Sequence, residues 1–145
     1  MATIYLSSTY ADLKDYRAAV AATLRKMEHT VIGMEDYVAA DVRPLEKCLR
    51  DVARSDVYVG VFAWRYGFVP GEGNPDGRSI TELEYRKAVA AGKPRLVFIL
   101  HDDAPWPAAA IDAVSGTAKA ARQVAKLRKE LSKARLARTD AEAAA

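Results

Sequence analysis

The feature that most constrains the fold is an uninterrupted apolar run in the middle of the chain, Asp56-Val-Tyr-Val-Gly-Val-Phe-Ala63. The run has the length of a β-strand, and it does not alternate between apolar and polar residues. A strand that is apolar throughout is covered on both faces, as the strands of a parallel sheet are. The run therefore predicts the central strand of a parallel sheet with helices on either side.

Further strands and helices are predicted on both sides of this run. The other predicted strands are Thr3–Ser7, Thr30–Met34 and Arg95–Leu100, and a helix is predicted over Pro44–Arg54. Short strands that alternate with helices favour a doubly wound α/β domain, because parallel strands need a crossover between them. We expect a flavodoxin-like parallel sheet of four to five strands in the order 2-1-3-4.

Two more helices are predicted from their capping residues. In the segment from Ser79 to Pro94, Ser79 and Glu82 have the spacing of a capping box, and Gly92 supplies a residue that ends helices. Near the N-terminus, Thr9 and Asp12 repeat the capping pattern before a helix that ends near residue 29. The stripe predicted to be buried on that earlier helix consists of Leu13, Tyr16, Val20, Leu24 and Met27.

Glu84 is the residue of the later helix that capping leaves unexplained. The cap and Arg86, four residues on, account for Glu82, whereas Glu84 shares a helix face with Thr81 and Ala88. Small residues on that face are typical of a helix that lies close to a sheet. Two interpretations stay open: a buried carboxylate bonded to a neighbouring Arg or backbone N–H, and a carboxylate that lines a ligand crevice.

The net charge of +3 is unevenly distributed along the 145 residues. Residues 1–116 hold 14 Lys and Arg against 16 Asp and Glu, whereas residues 117–145 hold 8 against 3. We expect an α/β domain over 1–116, an extended basic helix over 117–138 that packs on or extends from it, and a frayed tail over 139–145. The basic helix has three candidate roles: docking on the sheet, pairing with another chain, or weak contact with nucleic acid or membrane.

Several other features of the sequence bear on the cellular location of the protein. There is no apolar run of the length needed to cross a bilayer and no basic stretch followed by an apolar core at the N-terminus. The one cysteine, Cys48, cannot form an internal disulfide. We expect a cytoplasmic protein that does not enter the membrane.

In an open parallel sheet, ligands bind beyond the carboxyl ends of the strands, at the switch point between the first and third. The hydroxyls, aromatic rings and charged groups expected there suit a nucleotide, with phosphate near the helix N-termini. Candidate residues at that edge are Ser7, Ser8, Thr9, Glu35, Asp36, Trp64, Arg65, Tyr66, Asp102 and Asp103. There is no dinucleotide-binding Gly-x-Gly-x-x-Gly after the first strand, and two histidines with one cysteine make no metal-ligand set.

The chain resembles a bacterial family, domain-of-unknown-function family 4062, a TIR-like module. The resemblance runs from about residue 3 to residue 107. It is carried by Ile4-Tyr-Leu-Ser-Ser-Thr-Tyr-Ala-Asp-Leu13, Gly33-Met-Glu-Asp-Tyr37, Asp56-Val-Tyr-Val-Gly60, Trp64-Arg-Tyr-Gly67, Ser79-Ile-Thr-Glu-Leu-Glu-Tyr85 and Asp103-Ala-Pro-Trp-Pro107.

The resemblance implies a TIR-like signalling or interaction module of a bacterial stress or defence system, which assembles with itself, with a partner or within a larger signalling protein. The wider superfamily includes TIR domains that cleave NAD and nucleoside deoxyribosyltransferases. In the latter, a glutamate precedes Tyr-x-x-Ala and Gly-Lys-Pro, as Glu84 does here. By that alignment Glu84 is the catalytic carboxylate, with Asp36 and the serines near a ribose or phosphate.

Two hypotheses result. In the first, the chain is an interaction module that assembles and binds a nucleotide. In the second, it cleaves an N-glycosidic bond, with Glu84 stabilising an oxocarbenium-like state, Ser7 and Ser8 on phosphate, and Trp64 or Tyr66 stacking on the base. NAD or another nucleotide is the expected ligand or substrate, and no metal or tightly held cofactor is expected.

Overall fold

The computed structural model of the protein describes residues 1–37 and 45–144, and side chains are not described for residue 37 or for residues 135–144. Its strands are β1 (Thr3–Ser7), β2 (Thr30–Gly33), β3 (Val57–Phe62) and β4 (Arg95–Ile99). Its α-helices are α1 (Lys14–Lys26), α2 (Leu45–Arg54), α3 (Ile80–Ala90), α4 (Asp112–Ser115) and α5 (Ala118–Ala144). Short 3₁₀ helices span Met34–Tyr37 and Ala108–Ala110.

The four strands form one parallel sheet in the order β2-β1-β3-β4. Tyr5 pairs with Tyr58 across β1 and β3, and Gly60 pairs with Val97 across β3 and β4. The predicted flavodoxin-like fold and strand order are confirmed. The predicted start of the second helix, Pro44, lies outside the described residues, and the division into a domain, a basic helix and a tail stays a prediction.

The sheet is covered unequally on its two faces. One face carries a core of aromatic and aliphatic side chains from the sheet, α2, α3 and α5, in which Tyr58, Tyr85 and Leu127 are buried. The other face packs against α1 through a smaller cluster around Ile4, Leu6 and Val59. In β4, Leu96 and Phe98 point to that second face and are 50% and 56% exposed.

Helix α3 begins and ends as its sequence predicts. The Ser79 hydroxyl accepts a hydrogen bond of 3.1 Å from the Glu82 backbone N–H, and Gly92 has a positive φ of 66° beyond the last turn. The Glu82 carboxylate accepts hydrogen bonds from Arg86 at 2.9 and 3.0 Å and from the Tyr66 hydroxyl. None of the described helices combines the length and the apolar character that a membrane span requires.

Helix α1 differs from its prediction in two ways. It begins at Lys14 with Leu13 as N-cap and no side-chain cap, so the predicted capping role of Thr9 and Asp12 is wrong. Its buried stripe contains Arg17, whereas Tyr16 and Met27 are 54% and 60% exposed. The stripe shifts because the buried guanidinium has partners on β1 and after β2, which the sequence of the helix does not show.

Candidate functional site

Glu84 lies at the carboxyl edge of the sheet, where α3 crosses the ends of β1 and β3. The face of α3 that holds it is buried, as predicted, with Thr81 and Ala88 on either side. The Glu84 side chain is completely buried, and its carboxylate accepts a hydrogen bond from the Tyr5 hydroxyl and one of 2.9 Å from the Ser7 hydroxyl. Two elements of the fold, β1 and α3, therefore fix the position of this carboxylate.

Tyr58 completes the buried group around Glu84. It is the register partner of Tyr5 and is 1% exposed. Burial raises the pKa of the Tyr58 phenol, and the neighbouring Glu84 charge raises it further. Gly60 makes room for this ring, because a Cβ there would lie 2.9 Å from the Tyr58 hydroxyl. The phenol therefore stays neutral, and its buried hydroxyl has no hydrogen-bond partner within the described part of the chain.

A cavity of about 490 Å³ opens at the same edge, between the loop after β1 and the start of α3. Its volume is within the range of small-molecule sites. Its described lining is mostly apolar and holds one carboxylate, and it consists of Ser8, Thr9, Tyr10, Ala11, Asp12, Met34, Gly67, Phe68, Ile80 and Thr81. Glu84 and Ser7 are not among these residues. Ser7 precedes the lining residue Ser8 in the chain, and Glu84 is one helical turn from the lining residue Thr81.

The wall of the cavity at Ser8 is held by a buried arginine. Arg17 is 1% exposed and donates to both carboxylate oxygens of Glu35, at 2.8 and 2.9 Å, and to the Ser8 hydroxyl at 2.9 Å. The Ser8 hydroxyl in turn donates to the carbonyl oxygen of Thr9 at 2.6 Å. The guanidinium holds the pKa of the Glu35 carboxyl below its ordinary value. These bonds fix the ends of β1 and β2 relative to α1.

Asp12 is the unusual polar group of the cavity. Both of its carboxylate oxygens are shielded from solvent, and neither has a hydrogen-bond partner in the described part of the chain. Burial raises the pKa of this carboxyl. The Thr9 side chain and the backbone N–H of Asp12 interact with the carboxylate outside good hydrogen-bond geometry, and they only partly offset the rise. Sequence reasoning treated Asp12 as a helix cap and did not select it as a site residue.

Trp64, Arg65 and Tyr66 are at the same edge of the sheet, but they are not part of the described lining of the cavity. The guanidinium of Arg128, on α5, stacks on the Trp64 ring at 3.7 Å from its centroid. Arg65 donates to the carbonyl oxygen of Ala109 at 2.6 Å. Their predicted contact with a ligand stays a prediction.

Asp36 is also outside the described lining of the cavity. Its carboxylate accepts a hydrogen bond of 2.9 Å from the Gly33 backbone N–H, which closes the turn after β2. The structure therefore brings Ser8 and Thr9 to one cavity and Ser7 to Glu84. The described lining of that cavity leaves out the other predicted residues, which are Asp36, Trp64, Arg65 and Tyr66. No cluster of three or more potential metal ligands occurs among the described residues.

The functional residues that sequence reasoning missed are Asp12, Arg17, Phe68 and Gly60. Arg17 was hidden because a charged residue on a helix is normally exposed. Phe68 had a signal, because it is an aromatic residue in the segment that follows the third strand, where nucleotide-binding side chains were sought. Gly60 also had a signal, since a glycine inside the most apolar strand indicates a close approach by another group.

Comparisons with known proteins give two partial similarities. Telomerase protein component 1 of Mus musculus is 26% identical in an alignment over 117 residues, and the match covers 62% of this chain and 4% of the mouse protein. A solved structure of a CMP N-glycosidase from Clostridium botulinum has 15% sequence identity and a TM-score of 0.46, and the match covers 79% of this chain and 83% of that one. The chain thus spans a small fraction of the mouse protein.

The family comparison covers nearly all of the chain. The model of the domain of unknown function DUF4062 matches residues 3–143, a range that includes the sheet, the cavity and most of α5. The resemblance seen in the sequence is therefore confirmed. The chain belongs to the DUF4062 family.

Proposed function

We propose that the chain is a nucleotide-binding module that acts in signalling or assembly, and that its ligand occupies the cavity beyond β1 and β3. The observation that carries this proposal is the cavity of about 490 Å³ at the switch point of the sheet, where open α/β folds bind their ligands. Because fold alone does not determine function, the chemistry of the lining decides the class of ligand.

The cavity lining offers both of the contacts that a nucleoside needs. Met34, Phe68 and Ile80 present apolar surface for a base, while Thr9 and Thr81 present hydroxyls. Phe68 is 72% exposed at the rim, so its ring is available for stacking and its removal leaves the core intact. A base held by an aromatic ring and apolar contacts, with a polar sugar, fits this arrangement.

Titration calorimetry with adenosine, cytidine, their monophosphates and NAD tests the proposal. We expect at least one of these to bind the wild type and expect Phe68→Ala to weaken that binding roughly tenfold, as loss of an aromatic stack does. Val69→Ala is the matched control, because Val69 is a 39% exposed neighbour outside the described lining. If none of the compounds binds at millimolar concentration, the proposal is wrong.

A second candidate function is cleavage of an N-glycosidic bond by Glu84. The observation in its favour is that Glu84 is completely buried at the ligand edge of the sheet, where its carboxylate accepts hydrogen bonds from two hydroxyls. Burying a carboxylate costs free energy, and the cap of α3 does not need Glu84. Such a carboxylate is suited to stabilise an oxocarbenium-like state. It ranks second because Glu84 is completely buried and is not among the described residues of the cavity lining, so contact with a sugar requires neighbouring residues to move.

Release of free base or nicotinamide distinguishes cleavage from binding. Glu84→Gln keeps the shape of the side chain, and Glu82→Gln is a control on the same helix, which pairs with Arg86. Loss of turnover in the Glu84 variant alone supports catalysis, provided that both variants melt as folded proteins. Binding without any release of base, even at high protein concentration, would exclude the cleavage reaction.

We also propose that the module assembles with a second copy through strand β4, as expected for a part of a bacterial stress or defence system. β4 is an edge strand, and edge strands are templates for pairing with another chain. Antiparallel pairing of two β4 strands would bring the exposed Leu96 and Phe98 of one copy against the same two residues of the other copy. It would also set Lys93 of one copy near Asp102 and Asp103 of the other, which is a self-complementary arrangement of charge.

Analytical ultracentrifugation tests this assembly. Phe98→Glu should shift the protein to monomer, because it places two like charges close together across the pair. Val114→Glu is the control, since Val114 is 65% exposed on α4. Higher salt should weaken the charged contacts of the wild type. A wild type that stays monomeric up to millimolar concentration would contradict assembly through β4.

A further inference from the structure

Helix α5 carries a row of five basic side chains on its solvent-exposed side, and we call this row the basic stripe. It consists of Lys119, Arg122, Lys126, Lys129 and Lys133, which alternate at spacings of three and four residues. At about 100° per residue, these positions lie within an arc of about 80° around the helix, and no other residue of 118–134 lies in that arc. All five residues are exposed.

The basic stripe faces away from the sheet. The opposite side of α5 holds Val124, Leu127 and Leu131, which are buried in the main core. None of the five cations forms an ion pair with a residue that the structure describes. The acid next to the stripe, Glu130, is bound to Arg86 and interacts with Lys126 only at longer range. The packing of the helix therefore uses none of these five charges.

The basic stripe differs from the exposed sides of α1 and α2, which carry both signs of charge. On α1 the exposed Lys14 is followed by Asp15, and on α2 Glu46 is followed by Lys47. In the stripe, each cation is three or four residues from the next cation, and like charges at that spacing destabilise a helix. A partner with negative charges along the same line would remove this repulsion.

We propose that the basic stripe binds the phosphate backbone of double-stranded nucleic acid, whatever its base sequence. The stripe is about 21 Å long at a rise of about 1.5 Å per residue, and each strand of a duplex carries a phosphate about every 3.4 Å. About six phosphates of one strand fit along that length, which is enough for one per cation. The stripe is separate from the proposed nucleotide site, because the described lining of that cavity contains no residue of α5.

The composition of α5 favours a duplex over a single strand or a membrane. Proteins that bind single strands stack the bases on aromatic side chains, and residues 118–134 contain none. A helix that binds at a membrane surface buries its apolar side there, whereas the apolar side of α5 is already buried in the core. The exposed residues along one flank of the stripe are small, so the long cationic side chains can reach a backbone unobstructed; they are Ala118, Ala125 and Ser132.

Fluorescence anisotropy with two labelled DNA duplexes of unrelated sequence, each about two turns long, tests this binding. We expect the wild type to bind both duplexes equally within about twofold, with a dissociation constant of roughly 10⁻⁴ to 10⁻⁶ M at physiological salt. The logarithm of the binding constant should fall with the logarithm of the salt concentration. Its slope should be roughly −3 to −4.5, since each of three to five phosphate contacts contributes about −0.9.

Paired variants locate the contact. The double variant Lys129→Gln, Lys133→Gln removes two cations of the stripe and keeps residues that favour a helix. It should weaken binding at least about tenfold in about 0.1 M salt and flatten the slope by about 2. The matched control Lys14→Gln, Lys26→Gln removes the same charge from exposed positions of α1 and should weaken binding less than about threefold, because screening limits distant charges. Melting curves check that both double variants are folded.

Four results would overturn the assignment. They are equal losses in the two double variants, tighter binding of a single strand than of a duplex, absence of duplex binding in about 0.1 M salt, and binding only to vesicles that contain phosphatidylserine. The last result would make a membrane surface the partner of the stripe. Each of these results would leave the test of the cavity with nucleosides unaffected.

Discussion

Arg17 and Glu35 form a two-bond ion pair that joins the first turn of α1 to the 3₁₀ helix after β2, with nitrogen–oxygen distances of 2.8 and 2.9 Å. The arginine is 1% exposed on its side chain, whereas the glutamate is 46% exposed. The cation of the pair is therefore buried, and the anion is partly exposed to solvent. The packing around it is tight, because a Cβ on Gly33 would lie 2.6 Å from the guanidinium.

Arg17→Met should lower the free energy of unfolding by about 2–4 kcal/mol, because it removes the hydrogen bonds to Glu35, Ser8 and the Leu6 carbonyl at once. Arg25→Met, an exposed site on the same helix, should cost less than about 0.5 kcal/mol. Urea denaturation measures the free energy of unfolding of both variants.

The lowered pKa of Glu35 means that the stabilisation by its ion pair is present above the ordinary carboxyl pKa of 4.5 and is lost as pH falls through the folded-state pKa. Wild type and Arg17→Met should therefore converge in acid; a constant gap would contradict this linkage.

Gly60→Ala should destabilise the protein by about 1–3 kcal/mol, because the new methyl group would meet the Phe62 ring at 2.7 Å and the Tyr58 ring at 2.9 Å. The displaced Tyr58 would also disturb the group around Glu84. Gly71→Ala is the control, since nothing lies within 4 Å of a Cβ at that position. Thermal melting and near-ultraviolet circular dichroism follow both variants. Equal melting temperatures for the two would show that the sheet absorbs the extra methyl group without cost.

Arg128→Lys should loosen the attachment of α5 to the sheet. The Arg128 guanidinium stacks on Trp64 and donates to the carbonyl oxygens of Ala63 and Leu100, at 3.0 and 2.6 Å. A lysine ammonium keeps the charge but has no planar fork for these partners. We expect a loss of about 1–3 kcal/mol and a change in Trp64 fluorescence.

Arg122→Lys tests whether this effect is specific to the buried position, because Arg122 is exposed on the same helix. It should leave both the unfolding free energy and the tryptophan emission unchanged. If Arg128→Lys behaves in the same way, the stacked guanidinium does not hold the helix.

Asp12→Asn should stabilise the ligand-free protein at neutral pH by about 2 °C in melting temperature. Burial raises the pKa of Asp12 above its ordinary value of 3.8, so the folded state disfavours the charged form. The resulting cost appears as pH rises through the folded-state pKa and is absent below the unfolded-state value. The advantage of Asn should therefore shrink as the pH is lowered to about 3, and differential scanning calorimetry across this range checks the sign. A wild type more stable than Asp12→Asn at neutral pH would show that the carboxylate is compensated within the protein.

Local patterns in the sequence were sufficient to predict the fold. The strand ends differ from prediction by at most one residue, because apolar runs of strand length next to capping residues are strong local signals. The Ser79 cap and the buried face of α3 around Glu84 were also readable, since both depend on spacing within one helix.

The site was less predictable because its contacts are long-range. Arg17 is buried by partners 9 and 18 residues away, and no helical periodicity encodes such partners. Asp12 was assigned to a cap from its spacing to Thr9, although it lies in the turn over residues 11–13 that precedes α1. Trp64 stacks on Arg128, which lies 64 residues further along the chain, and local sequence does not show such a contact. The expected stacking of Trp64 on a base stays a prediction.

The unequal coverage of the sheet has a consequence for its internal motions. At β4, one face rests on the aromatic core while Leu96 and Phe98 on the other face meet water. Amide protons shared between β3 and β4 should therefore exchange with deuterium sooner than those shared between β1 and β3, since local opening begins where least apolar contact is lost. Strand β4, at the edge of the sheet, is where the domain should begin to unfold.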